Sequence, residues 1–270
     1  MRARMRCSVA VLVTLALSAC SPPVTPTPTP TAPLPADRMV FQVMAGGGLL
    51  PPLVYLLESP SLVIFGDGRV VTAQGSTHGT VPARYEVARV DPMVVATFAA
   101  GVEVSGLVGD ATDFGRPDVF DLDVTAVTVH GEKDAATARA YALYPQFEGR
   151  LSSTQRANRD ALRGLIDRAR TLAGEAPRSA FTPDQVTVFA LDPGADSAPA
   201  TVAWPGPGPE TFLRPATGGR WVACGVLRGQ AADGLYRAAL ENPGARWLVS
   251  GTTRVLAVNP MPGGKECAAG

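Results

Sequence analysis

Lysine is nearly missing from this 270-residue chain: Lys133 and Lys265 are the only two, and every other basic side chain is arginine. In a chain also rich in alanine, glycine and proline, that skew fits the coding bias of a high-GC genome and makes no case for phosphate binding. Basic and acidic side chains balance at 24 each, so no excess of cations argues for a nucleic-acid partner. Histidine is scarce too. A Ser-His-Asp or Cys-His mechanism would have to use His78 or His130, and both lie in turn-like contexts where exposed, inert imidazoles are commoner. GxSxG, SxxK, HExxH, CxxC and phosphate-loop patterns are all missing. No apolar run approaches the ~20 residues that a membrane-spanning helix needs.

What is present begins at the N-terminus. Arg2, Arg4 and Arg6 precede an apolar run from Cys7 to Leu17, broken only by Ser8 and Thr14. A basic start, a short apolar core and small residues at its end form a secretory signal. The arginines are not paired, which favours the general export route. Leu17-Ser18-Ala19-Cys20 resembles the lipobox of bacterial lipoproteins at each of its positions. The resemblance implies a diacylglycerol on the Cys20 thiol, cleavage just before that residue, and anchoring at the extracytoplasmic face of the cell membrane. Two fatty-acyl chains, palmitate being typical, hold a protein stably where one holds it marginally. Without residues 1–19 the chain is close to neutral, with 21 basic against 24 acidic side chains.

Ser21 to Ala36 reads SPPVTPTPTPTAPLPA. Its prolines remove amide donors and fix φ, so the segment is expected to extend as polyproline II and to reach roughly 50 Å at about 3.1 Å per residue. Thr25, Thr27, Thr29 and Thr31 are candidates for O-glycosylation on composition. The expected organisation is a signal over 1–19, a lipidated cysteine and tether over 20–37, and an extracytoplasmic domain over 38–270. That domain is divisible into 38–175 and 176–270.

Within the domain, Met39–Met44 predicts a buried strand closed by Gly46-Gly47-Gly48, and Pro51-Pro52 argues against a helix starting after those glycines. Ser61–Phe65 and Arg69–Thr72 flank Gly66-Asp67-Gly68, a strong hairpin signal that makes Asp67 a turn residue. Tyr85–Val90 is a further strand. Asp91-Pro92 opens a helix with Val94, Val95, Phe98, Ala99 and Val102 on one face and Gly106 as its stop. Leu122–His130 and Ala135–Leu143 form a second hairpin. Residues 154–173 make the longest helix, with Ala157, Ala161, Leu162, Leu165, Ile166, Ala169 and Leu172 facing the core. Opposite them lies a stripe of Arg156, Arg159, Arg163 and Arg170, solvated and ion-paired, with Arg163 matched to Asp167. Val186–Ala190 is a strand whose character echoes residues 39–44. Trp221–Cys224 is a strand, Ala231–Leu240 a helix, and Arg246–Val249 with Arg254–Val258 a last hairpin. Paired hairpins rather than alternating strand and helix give an α+β class: antiparallel hairpins in one or two sheets, covered by about three helices.

Three clusters could carry chemistry. Residues 109–123 hold Asp110, Asp113, Asp118, Asp121 and Asp123, but their spacing lacks the EF-hand glycine and closing glutamate. They are read as a solvated loop, with Asp121 and Asp123 on one face of the next strand. Trp204, Trp221 and Trp247 are read as packing rather than a ligand platform. Cys7 leaves with the signal and Cys20 carries lipid, so Cys224 and Cys267 remain to form one disulfide. The lipobox, the Thr/Pro tether, the GDGRV hairpin and the terminal cysteine pair together resemble secreted lipoproteins of high-GC Gram-positive bacteria. No catalytic residue carries over from that resemblance. The expectation is a membrane-anchored module without catalysis or cofactor, partnered by a cell-wall polymer or a protein. The alternatives are an envelope hydrolase using the acidic loop and the solute-binding subunit of a transporter.

Overall fold

The computed structural model describes residues 30, 32–132, 134–192, 202–216, 221–244, 246–262, 264 and 267. The expected signal, the expected lipobox with Cys20 and the glycosylation candidates Thr25, Thr27, Thr29 and Thr31 lie outside them. The first part of the fold runs β1 (Met39–Gly46), α1 (Pro52–Leu57), β2 (Leu62–Phe65), β3 (Arg69–Gln74), β4 (Arg84–Arg89), α2 (Pro92–Ser105), β5 (Val124–Val129), β6 (Ala136–Tyr141), α3 (Ser153–Arg170) and β7 (Ser179–Ala180). The rest is β8 (Gln185–Leu191), α4 (Pro209–Phe212), β9 (Arg214–Pro215), β10 (Ala223–Arg228), α5 (Gln230–Glu241), β11 (Arg246–Val249) and β12 (Thr252–Asn259). The strands form two antiparallel sheets, ordered β6-β5-β1-β2-β3-β4-β7 and β11-β12-β8-β10-β9. The class is α+β, as the hairpin pattern implied. The two echoing strands, β1 and β8, each lie inside their own sheet.

Alternation along the strands divides the core. In β2, Leu62 and Ile64 face α2 and α3, while Val63 and Phe65 join Val71, Tyr85 and Met261 on the opposite face. The second sheet is covered on both sides. Val186, Val188 and Leu256 pack under α5, whereas Phe189, Cys224 and Ala257 pack against Leu56 and Leu57 of α1. Polar ties join the two sheets where chain segments cross. Asn259 donates to the carbonyls of Leu56 and Glu58 at 3.0 Å, and Tyr236 of α5 donates to the Ala83 carbonyl at 2.7 Å.

Several expectations need correction. Pro51 and Pro52 do not prevent a helix: Pro51 is the N-cap and Pro52 the first residue of α1, where a missing N–H costs nothing. The packed chain begins before Arg38, since Leu34 is buried in the cluster under α2. Gly66 is needed there, because a Cβ would stand 2.0 Å from the Pro35 carbonyl oxygen. Gly68, at φ +87°, faces Val90 O equally closely. Asp67 is indeed a turn residue, accepting from the Arg69 amide at 3.1 Å and Arg69 Nε at 2.7 Å. Asp121 and Asp123 precede β5 instead of sharing its face, and Asp121 has φ +57°. Trp221 lies outside β10, which puts Cys224 second in its strand.

The arginine stripe also dissolves. Arg159 is fully buried, and Ala157 and Ala161 are exposed in its place. A capping box of Ser152 and Gln155 starts α3. Seven residues later Arg159 turns inward, donating to Glu148 Oε1 at 2.7 Å and to the carbonyls of Phe114, Tyr141 and Ala142. Arg163 pairs with Glu148 and Asp160 instead of Asp167, and it is Arg170 that reaches Asp167. A buried ion pair broken on one side is destabilised by about 3–5 kcal/mol. Arg159→Met is therefore expected to lose that much in urea unfolding, whereas Arg170→Met, at an exposed pair, should stay within about 0.5 kcal/mol of wild type.

Candidate functional site

The two long helices over the first sheet do not close on each other. Asp91 caps α2 by accepting from the Met93 amide at 2.8 Å, Pro92 fills its first position, and Gly106 ends it in the left-handed region. Its inner face is Val95, Ala96, Ala99 and Val102, with Phe98 edge-on to Phe41 at 5.2 Å. Val94, expected to face the core, is 43% exposed. From α3, Leu162, Leu165, Ile166 and Ala169 reach the same sheet. Each helix is thus held by the strands beneath it, and a groove of about 600 Å³ remains between them. That volume lies within the ~300–1,000 Å³ usual for small-molecule sites.

Apolar side chains form the groove: Val94, Phe98 and Val102 on α2, with Leu165 and Leu172 opposite. Its two hydroxyls are engaged within their own helix, Thr97 donating to Met93 O at 2.8 Å and Ser105 to Val102 O at 2.7 Å. Arg168 supplies the charge at the wall and has no ion-pair partner among the described residues. Gly101 sits in the middle of α2, and a Cβ there would meet nothing within 4 Å. A helix-interior glycine costs roughly 0.5–1 kcal/mol against alanine. No clash or positive φ requires glycine at this position; its visible effect is to keep the groove open.

Another concavity, of about 310 Å³, has a mixed lining in which Val43, Leu143 and Ile166 stand beside charged side chains. It gathers Ser61, Asp123, Tyr144, Arg163, Asp167 and Arg170. Asp123 accepts from the Tyr144 hydroxyl at 2.8 Å, and partial burial together with this carboxylate pushes the phenol up to about 12. Tyr144 is therefore a hydrogen-bond donor at neutral pH, not a base. The other acidic candidates go elsewhere. Asp113 accepts from Gln155 and the Gly115 amide, which hold its carboxyl below the ordinary range. Asp118 pairs with Arg150 at 2.9 Å on the surface. No group of three or more His, Cys, Asp or Glu side chains converges among the described residues.

The remaining candidates are structural in position. His78 is not an exposed loop imidazole, because its Nε2 lies 3.8 Å from Oε1 of fully buried Glu58, which also accepts from the Gly47 amide. The His130 amide continues the sheet by donating to Val40 O at 2.8 Å. The three tryptophans form no platform. Trp204 and Trp247 meet edge-to-face at 5.3 Å under α5, whereas Trp221 meets Phe189 at 5.3 Å on the other face of that sheet. Cys224 and Cys267 are joined in a disulfide with their Cα atoms 5.8 Å apart. In the chain-entropy treatment a loop of this length contributes about 4 kcal/mol. With the fold and sites in view, comparison with other proteins gives no relative: no family model, curated protein or solved structure matches this chain.

Sequence reasoning missed the groove because it weighed each helix face separately. It also missed Glu148, whose partners come from the helix that follows it. The Arg163 guanidinium, with Arg159 assisting, holds the Glu148 carboxyl below the usual carboxylate range against the opposing effect of burial. A depressed carboxylate stabilises the fold above its unfolded value of about 4.3 and loses that contribution as pH falls through its folded value. Wild type is thus expected to be more stable than Glu148→Gln at pH 7. Urea midpoints measured from pH 7 down to 3 should show the gap narrowing once pH passes below about 4.3.

Proposed function

We propose that this chain is a lipid-anchored extracytoplasmic binding module, tethered to the cell membrane through Cys20, whose ligand site is the groove between α2 and α3. The groove carries the reading. It is apolar, sized for a small molecule, and built on two helices that a sheet holds apart. The lipobox and the Pro/Thr tether supply the anchor and spacer. With Pro30 already buried and Leu34 packed in the core, residues 21–29 are left to span, roughly 28 Å at about 3.1 Å per residue. A cell-wall polymer or a protein partner would meet the outer surface of the same domain.

The two alternatives have less behind them. A hydrolase would need carboxylates that converge, and Asp113, Asp118 and Asp123 each hold a different partner. A transporter's solute-binding subunit would be expected to alternate strand and helix in two lobes, while every ladder in the two sheets here is antiparallel. Anchoring has a direct test. Wild type is expected in the detergent-rich phase on Triton X-114 partition, with an intact mass showing a diacylglyceryl Cys20. Cys20→Ala should move to the aqueous phase or stay unprocessed. An unmodified Cys20 in wild-type protein refutes the anchor.

A further inference from the structure

We infer that the α2–α3 groove takes a single-chain anionic amphiphile, a long-chain fatty acid, with its hydrocarbon between the helices and its carboxylate on Arg168; this rests on the groove being the ligand site. Three observations select that ligand. The walls offer Val94, Phe98, Val102 and Leu165 but no free hydroxyl, since Thr97 and Ser105 both donate to their own helix. An extended peptide laid there would leave its amides without partners, a cost that an alkyl chain avoids. The groove has one cation, Arg168, with no ion-pair partner among the described residues. One planar guanidinium matches one carboxylate in bidentate geometry. A two-chain phospholipid would bring a second chain and a glycerol-phosphate head, for which the lining supplies no further donor.

Position and backbone support the same ligand. Leu34 belongs to the same apolar cluster as Val102 and Leu165 of the groove, and it stands 14 positions after Cys20. A bilayer anchor at Cys20 therefore keeps this part of the domain within roughly 50 Å of membrane lipid even with the chain fully extended. Gly101 keeps the middle of the α2 wall bare at a position where a side chain would fit without a clash. A larger residue there fills the groove while improving helix propensity, so occupancy can be blocked without attacking the fold.

The test uses the full chain in its native membranes, with a diazirine-bearing palmitate as one probe and a diazirine-bearing phosphatidylglycerol as the other. Palmitate is expected to label peptides from α2 and from residues 165–172, and excess unlabelled palmitate should displace it. Methyl palmitate should compete about tenfold or more weakly, because it cannot make the charge-assisted bond to Arg168. Arg168→Gln should weaken labelling similarly. Gly101→Phe should abolish it while melting at or above the wild-type temperature. Val94→Glu, on the exposed rim, serves if that variant does not fold. Undiminished labelling in a folded Gly101→Phe protein overturns the proposal. Labelling of the groove by phosphatidylglycerol and not by palmitate overturns the fatty acid and leaves the groove reading intact. Labelling by neither probe overturns both. Labelling that appears only in Cys20→Ala assigns the groove to the chain's own lipid and also overturns the proposal.

Discussion

One buried guanidinium organises the helical layer of this domain. Arg159 has no exposure, yet it reaches Glu148 and three backbone carbonyls from two further segments, that of Phe114 and those of the adjacent Tyr141 and Ala142. A charge so far from water is tolerable only when its donors are paired. The loop before β5, the end of β6 and the turn at Glu148 must therefore converge on α3. That fixes the axial position of α3 over the sheet, and with it the places of Leu165, Arg168 and Leu172. The far wall is set separately by the Asp91-Pro92 start of α2 and by Phe98 on Phe41. Because sheet contacts and the arginine network hold each helix, the space between the helices need not collapse.

The second sheet solves a different problem. Its strands β8, β10 and β12 bury residues on both faces, with α5 on one and α1 on the other. α1 lies between β1 and β2 in sequence but packs on the later sheet, so the N-terminal half supplies a cover for the C-terminal half. Asn259, through its bonds to Leu56 O and Glu58 O, fixes that arrangement. The disulfide adds a covalent tie on the same face, joining the C-terminal segment to β10 beside Phe189 and Trp221.

Much of the local structure was legible because it follows short-range rules. The Gly66-Asp67-Gly68 hairpin, the Asp91-Pro92 helix start, the Gly106 stop and the cysteine pair each depend on a few neighbouring residues or a count. The misses share a cause. Arg159 sits at a helical position that periodicity alone assigns to solvent, and only a carboxylate and carbonyls 11 to 45 residues away reverse that. Val94 has the spacing of a core residue but stays 43% exposed on the wall of the groove. His78 sits in a polar loop, and its nearness to buried Glu58 comes from how α1 and that loop are brought together.

The sequence by itself determined the α+β class, the order of the hairpins, the helix caps and the pairing of the last two cysteines, since periodicity, turn chemistry and elimination act within the chain. It also carries Leu17-Ser18-Ala19-Cys20 and the Pro/Thr-rich stretch after it, on which the anchoring proposal rests. Only the tertiary structure decided that there are two sheets, which faces are covered, where Arg159 and Glu148 meet, and that α2 and α3 stand apart. Those are contacts between residues distant in sequence. Their outcome depends on which apolar surfaces find partners and which buried charges are satisfied, and no local pattern records either.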